Sequence, residues 1–275
     1  MACNRGVFVV QYNPQIVFIS NMLKQSVKTH VHKLHQKKYR YGFGEYIIEG
    51  VKGVEAVLAS NKKAVFVIVQ EELIKHKAML ALLQKVEDRF IPIHVCSEQD
   101  THTIKTTKTF PGIMAVMKID TQSIDAFDLE KPIICLDGVQ DPGNLGTIIR
   151  TADWFGIHNI LLSEDCVDVY NDKVVRSTMG SLFNSVIVKS THIVSDIVSL
   201  KTIQGYEVIG LTLDGETDIQ KQEKKAVYIF GSESHGIRSA FDPIIDSRYT
   251  IAGSGSAESL NVAIAAGIML YSIRL

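Results

Sequence analysis

The feature that most constrains this fold is an alternation that runs along almost the whole chain. Short apolar runs are separated by stretches whose apolar residues recur three and four apart. The first pattern marks buried strands and the second marks helices packed by one face. Alternation of the two predicts βαβ units and a mainly parallel sheet. In the first half, strands are expected at residues 46–49, 64–70, 91–96 and 113–119, with helices from Ser20 and at 54–60 and 71–88. In the second half, strands are expected at 133–136, 159–162, 186–188, 207–212, 226–230 and 249–251. Helices are expected there at 144–155, 173–182, 193–203 and 260–273. At about 150 residues per domain, 275 residues suggest two domains. The polar, acidic segment 120–131 is the expected linker. The reading is therefore a loose extension at 1–19, an α/β domain at 20–119 and a second α/β domain at 132–275.

With 46% hydrophobic and 21% charged residues, the chain can bury a core and is not of the disordered class. The longest apolar stretch, 262–273, is shorter than the roughly 20 residues of a membrane span, and no secretory signal is visible. Cys3, Cys96, Cys135 and Cys166 are far apart in sequence. They lack zinc-ligand spacing, so reduced thiols and no metal site are expected. Residues 1–44 hold Arg5, Lys24, Lys28, Lys33, Lys37, Lys38 and Arg40 and no acid. That segment is +7 and the remainder −8, since the whole is −1. The asymmetry implies either an anionic partner or a solvated basic helix face. Tyr39, Tyr41 and Phe43 alternate with Arg40, Gly42 and Gly44. Such a segment suits either base stacking or a hydrophobic corner before a strand.

Parallel sheets place ligands at the C-terminal ends of their strands, which directs attention to three loops. Asp137 to Gly146 runs into a helix bearing Arg150. Here Asn144 suits a helix cap and Arg150 suits an ion pair with Asp153, or both serve a ligand. Gly231-Ser232-Glu233-Ser234-His235-Gly236 is either a strand-ending turn or a place where a ligand meets the backbone. Gly253-Ser254-Gly255 leads to Ser259-Leu260-Asn261. The third glycine of a dinucleotide fingerprint is missing, because position 258 is Glu, which argues against a nicotinamide dehydrogenase. Ser259 or Asn261 would cap the last helix.

Taken together, Asn144-Leu145-Gly146-x-Ile148-x-Arg150, Gly231-Ser232-Glu233-x-x-Gly236 and Ser259-Leu260-Asn261-Val262 resemble the three ordered motifs of the SpoU/TrmH family of RNA ribose methyltransferases, in the SPOUT superfamily. Lys33-Leu34-His35-Gln36-Lys37-Lys38-Tyr39-Arg40 and Glu49-Gly50 resemble that family's L30e-like RNA-binding domain. The resemblance implies methyl transfer from S-adenosylmethionine to a ribose 2′-OH, with ribosomal RNA the preferred substrate. Transfer RNA and a non-catalytic RNA-binding protein of the same fold are the alternatives. It implies a trefoil-knotted, mainly parallel C-terminal domain, a homodimer formed through that domain, a cytoplasmic place, and neither metal nor membrane. By family pattern Arg150 is catalytic, supported by Asn144, Glu233, Ser259 and Asn261. The cofactor would lie against Gly231, Ile251 and Leu260, with Thr212 on a neighbouring strand-end loop. Lys33, Lys37, Lys38 and Arg40 would meet RNA. Where the family usually has Ile-Pro-Met, this chain has Ile251-Ala252-Gly253. Losing the proline's fixed φ predicts a looser cofactor loop.

Overall fold

In the computed structural model, which describes residues 8–12, 15–19, 23–217 and 225–273, the chain divides into two compact units. One is Met1–Asp120 with Tyr170–Phe183; the other is Thr121–Val169 with Asn184–Leu275.

The first unit begins with a hairpin where a loose extension was expected: β1 (Phe8–Tyr12) pairs antiparallel with β2 (Gln15–Ile19). Ser20, the expected cap, lies outside the described residues, as does Cys3. α1 (Gln25–Leu34) buries Val31 and Leu34. The Tyr39–Phe43 segment is part of a second helix, α2 (Lys37–Phe43), which ends on Gly44 at φ +64°. Only glycine takes that conformation at little cost. Then follow β3 (Glu45–Glu49), α3 (Val51–Ala59), β4 (Ala64–Gln70), α4 (Lys77–Asp88), β5 (Ile93–Cys96), α5 (Glu98–Ile104) and β6 (Ile113–Lys118). The long helix expected over 71–88 is broken at His76, which is extended (ψ 130°) between a 3₁₀ turn and α4. The strands lie in the order β3-β6-β4-β5. β6 runs antiparallel to both neighbours and only β4 and β5 are parallel. The expectation of a mainly parallel sheet thus fails in this half. An apolar run buried on both faces, such as Ile113–Met117, carries no mark of its direction.

The rest of the chain runs β7 (Ile133–Leu136), α6 (Pro142–Trp154), β8 (Asn159–Ser163), α7 (Asp172–Thr178), β9 (Val186–Ser190), α8 (Ile193–Gln204), β10 (Glu207–Glu216), β11 (Ala226–Phe230), β12 (Ser247–Tyr249) and α9 (Val262–Ile273). α7 groups with the first unit, where Arg176 donates to Thr106 Oγ1 at 2.8 Å. The six-stranded sheet has the order β12-β10-β11-β7-β8-β9, and every pairing in it is parallel. Here the alternation predicted the sheet correctly. Ile133, Cys135, Leu161, Val208, Val227 and Ile229 pack against Ile193, Ile197 and Leu200 of α8. β12 falls two residues earlier than expected, and residues 252–261 are exposed and irregular. The last helix is not buried all round. Ala263, Ala266, Met269 and Leu270 are inside, whereas Ile264, Ile268 and Tyr271 are exposed.

Candidate active site

Parallel pairing of β7 and β11 brings the loops that follow them together. The first turn of α6 is capped by Asp141, whose side chain accepts from the Asn144 N–H at 2.8 Å, with Pro142 at the first helical position. Proline is suited there because that N–H has no helical partner. Asn144 is therefore not the cap, and its side chain is available for other contacts. Its Nδ2 donates to Glu233 Oε1 at 2.6 Å. Its Oδ1 accepts from Asn261 Nδ2 at 3.0 Å. Asn261 in turn caps α9, its Oδ1 accepting from the Ala263 N–H at 2.9 Å. One amide thus joins the three motif loops, across 89 and 117 residues of chain.

The Glu233 loop is shaped by its own backbone. Ser232 and Gly236 exchange two N–H···O bonds, each 3.0 Å. A Cβ on Gly231 would fall 1.9 Å from the Gly236 carbonyl carbon, so glycine is required there for chain-on-chain approach. The loop's own fold is enough to require this glycine. Glu233 itself is exposed.

Arg150 is exposed on α6 and has no ion pair among the described residues. The expected alternative, a pair with Asp153, does not form. Asp153 Oδ1 faces His158 Nε2 at 3.2 Å, and Asn184 Nδ2 donates to its carboxylate at 3.1 and 3.2 Å. Arg150 makes no hydrogen bond to the Asn144 cluster either. Ser259 is exposed and is not part of that network.

The expected cofactor residues fit a ligand. Thr212 lies inside β10, not on a loop, because the strand continues to Glu216 through a shift in its register with β12. Its Oγ1 is buried without a hydrogen-bond partner. A buried hydroxyl left so costs roughly 1–3 kcal/mol, a deficit that a polar ligand atom would remove. Ile251 is half-buried and Leu260 exposed, leaving apolar side chains for an adenosine or methionine portion. Among the described residues no cluster of metal ligands occurs.

The structure separates the four cations expected at RNA. Lys33 and Lys38 place Nζ 5.5 and 5.8 Å from the Tyr39 ring, and Lys37 lies 6.0 Å from the Tyr41 ring. Arg40 is a correction. It is 4% exposed, and its Nη1 donates to Leu34 O at 3.0 Å and His35 O at 2.9 Å. Carbonyls at the end of α1 lack helical partners, and Arg40 supplies them, so it is not presented to a phosphate.

Sequence reasoning missed Asp137 and Arg238. Asp137 is 1% exposed and forms an ion pair with Arg238. That carboxylate holds the guanidinium above its ordinary pKa. A carboxylate directly after a buried strand is a usable signal, but nothing in sequence spacing pairs it with a cation 101 residues away.

Compared with solved structures, the chain is similar to an AdoMet-bound rRNA methyltransferase from Sinorhizobium meliloti, with a TM-score of 0.81 and 28% identity over 92% of this chain and 95% of that one. It is also similar to the SpoU methyltransferase AviRb from Streptomyces viridochromogenes in complex with AdoMet: TM-score 0.78, 25% identity, 90% and 96% covered. The class is that of S-adenosylmethionine-dependent RNA methyltransferases. An MRM3-like substrate binding domain matches residues 24–115. The 23S rRNA (guanosine(2553)-2'-O)-methyltransferase RlmP of Bacillus subtilis is 33% identical over 88% of this chain and 93% of its own. With residues 131–271 matching its model, the chain belongs to the SpoU rRNA Methylase family.

Proposed function

We propose that this chain methylates one ribose 2′-OH of ribosomal RNA, with Asn144, Glu233, Asn261 and Arg150 as the residues around the reacting hydroxyl. The observation that carries this is the Asn144 amide bonded to both Glu233 and Asn261. Three separate loops would not converge on one amide unless their relative placement mattered. S-adenosylmethionine supplies a methyl group already activated by its sulfonium. The chain's task is alignment, since displacement in line needs the 2′-oxygen behind the methyl. Glu233, held through Oε1 by Asn144, keeps its second oxygen for the hydroxyl proton. Arg150 does not act as the base, because an arginine guanidinium is not deprotonated in proteins. Its charge steadies the oxygen as negative charge develops, or holds the adjoining phosphate. Ser259, beside Asn261, orients the ribose. Thr212, Gly231, Ile251 and Leu260 hold the cofactor, and Lys33, Lys37 and Lys38 meet RNA phosphates.

The same reading includes the trefoil knot and a homodimer through the exposed face of α9. Exposed Ile264, Ile268 and Tyr271 recur four and three residues apart on that helix, and such a stripe on a soluble domain marks an interface. It places the protein in the cytoplasm, which suits the free thiols of Cys96, Cys135 and Cys166. Ribosomal RNA is preferred to transfer RNA because RlmP, a relative matching 88% of this chain, is named for 23S rRNA.

Titration calorimetry tests the cofactor assignment. The expected result is heat of binding with S-adenosylmethionine and none with NAD. Thr212→Val, which removes the unpartnered hydroxyl at nearly constant volume, is expected to weaken binding about tenfold, near 1.4 kcal/mol. Binding of NAD in place of S-adenosylmethionine would end this reading.

A further inference from the structure

Asp137 follows β7 directly, and its N–H donates to Phe230 O, the end of β11, at 2.8 Å. Its Oδ2 accepts from the Arg238 backbone N–H at 3.0 Å, and its Oδ1 pairs with Arg238 Nη2. The other arm of the guanidinium, Nη1, donates to Asp165 Oδ2 at 3.0 Å, in the loop after β8. The Phe241 ring lies 5.8 Å from the guanidinium carbon and limits its swing. One side chain and its own amide therefore tie together the loops that leave three strand ends. Two of those loops carry the site. Arg238 comes two residues after Gly236, whose bridge to Ser232 closes the Glu233 loop. Asp137 comes five residues before Pro142, which opens the helix bearing Asn144.

We propose that Arg238 is a positioning residue which, through Asp137 and Asp165, sets Glu233 against Asn144. The planar fork of arginine presents donors in fixed directions, so it can serve two carboxylates on different loops at once. A lysine ammonium, a point charge on a flexible stem, cannot fix both directions. Without the fork the 2.6 Å contact between Asn144 and Glu233 would rest, on the Glu233 side, on an exposed loop closed by its own Ser232–Gly236 bridge. Misplacement by about 1 Å can cost a hundredfold in rate.

The kinetic part of this proposal rests on the methyltransferase reading; the positioning part does not. The test compares the full-length wild type with Arg238→Met, Arg238→Lys and the double variant Asp137→Asn/Arg238→Met. Each is followed by single-turnover methyl transfer at saturating cofactor, by thermal melting, and by hydrogen exchange of segments 138–144 and 231–237. Arg238→Met is expected to slow transfer by about tenfold to a hundredfold and to speed exchange in both segments, while β7 and β11 stay protected. Arg238→Lys is expected to recover part of the rate. The double variant removes the charge left buried and unpaired, so it is expected to regain melting temperature while transfer stays slow and exchange stays fast. A double variant with wild-type transfer and exchange would overturn the proposal, because Arg238 would then serve only to neutralise Asp137. Unchanged exchange in Arg238→Met would overturn it as well. If the wild type methylates no RNA, the functional reading fails and exchange alone decides the positioning role.

Discussion

Arg150 and Arg40 show how far residue type alone carries an argument. Both read in sequence as cations for RNA chemistry, and their surroundings divide them. Arg40 is buried on carbonyls at the end of α1, whereas Arg150 is exposed and unpaired among the described residues. Sequence spacing could not tell them apart, because a guanidinium that satisfies backbone acceptors looks in sequence like one that waits for an anion. The Asn144, Glu233 and Asn261 set was legible only through a family resemblance, since each suits an ordinary cap or turn when read singly. Arg150 is the sharpest residue-scale test. Arg150→Ala is expected to change stability by no more than about 0.5–1 kcal/mol, as at other exposed positions. It is expected to lower methyl transfer by about a hundredfold or more. Asp153→Ala, at the neighbouring carboxylate occupied by His158 and Asn184, is expected to leave transfer near wild type. Single-turnover transfer with a denaturant melt of each variant checks this. Near-normal transfer by folded Arg150→Ala would remove it from the chemistry.

At the scale of elements, existence was easier to read than direction or breaks. β4, β7 and β11 fall at the expected positions because continuous apolar runs bounded by polar residues have few other solutions. β6 was found but its antiparallel course was not, since direction is fixed by connections and not by composition. α5 was missed although Ser97 and Asp100 form a capping box, a short polar signal that periodicity overlooks. α1 and α2 carry the element-scale prediction. Reversing Lys33, Lys37 and Lys38 to Glu is expected to weaken RNA binding with a shallower salt dependence than wild type, because fewer counterions are released, and to leave cofactor affinity unchanged. Arg40→Met is expected instead to lower the melting temperature, because the carbonyls it serves lose their donors. Filter binding at several salt concentrations and thermal melts separate the two. Unaltered RNA binding by the lysine variant would remove α1 and α2 from the RNA surface.

At the scale of the molecule, the exposed stripe of α9 is the feature the sequence only half conveyed. Its helix is apolar on nearly every face, which reads as complete burial, yet the chain itself covers only the side formed by Ala263, Ala266, Met269 and Leu270. Ile264→Asp with Ile268→Asp is expected to leave the fold intact and turn a dimer into a monomer in sedimentation velocity; a monomeric wild type would rule the dimer out. The central claim, that this chain moves a methyl group from S-adenosylmethionine to a ribose of ribosomal RNA, has a more direct test. Ribosomal and transfer RNA lacking the modification would be incubated with the protein and methyl-labelled cofactor, and resistance to alkaline cleavage would locate each 2′-O-methyl group. The expected result is one labelled ribose in ribosomal RNA and none in transfer RNA. Label on a base, label confined to transfer RNA, or no label with folded, cofactor-binding protein would contradict it.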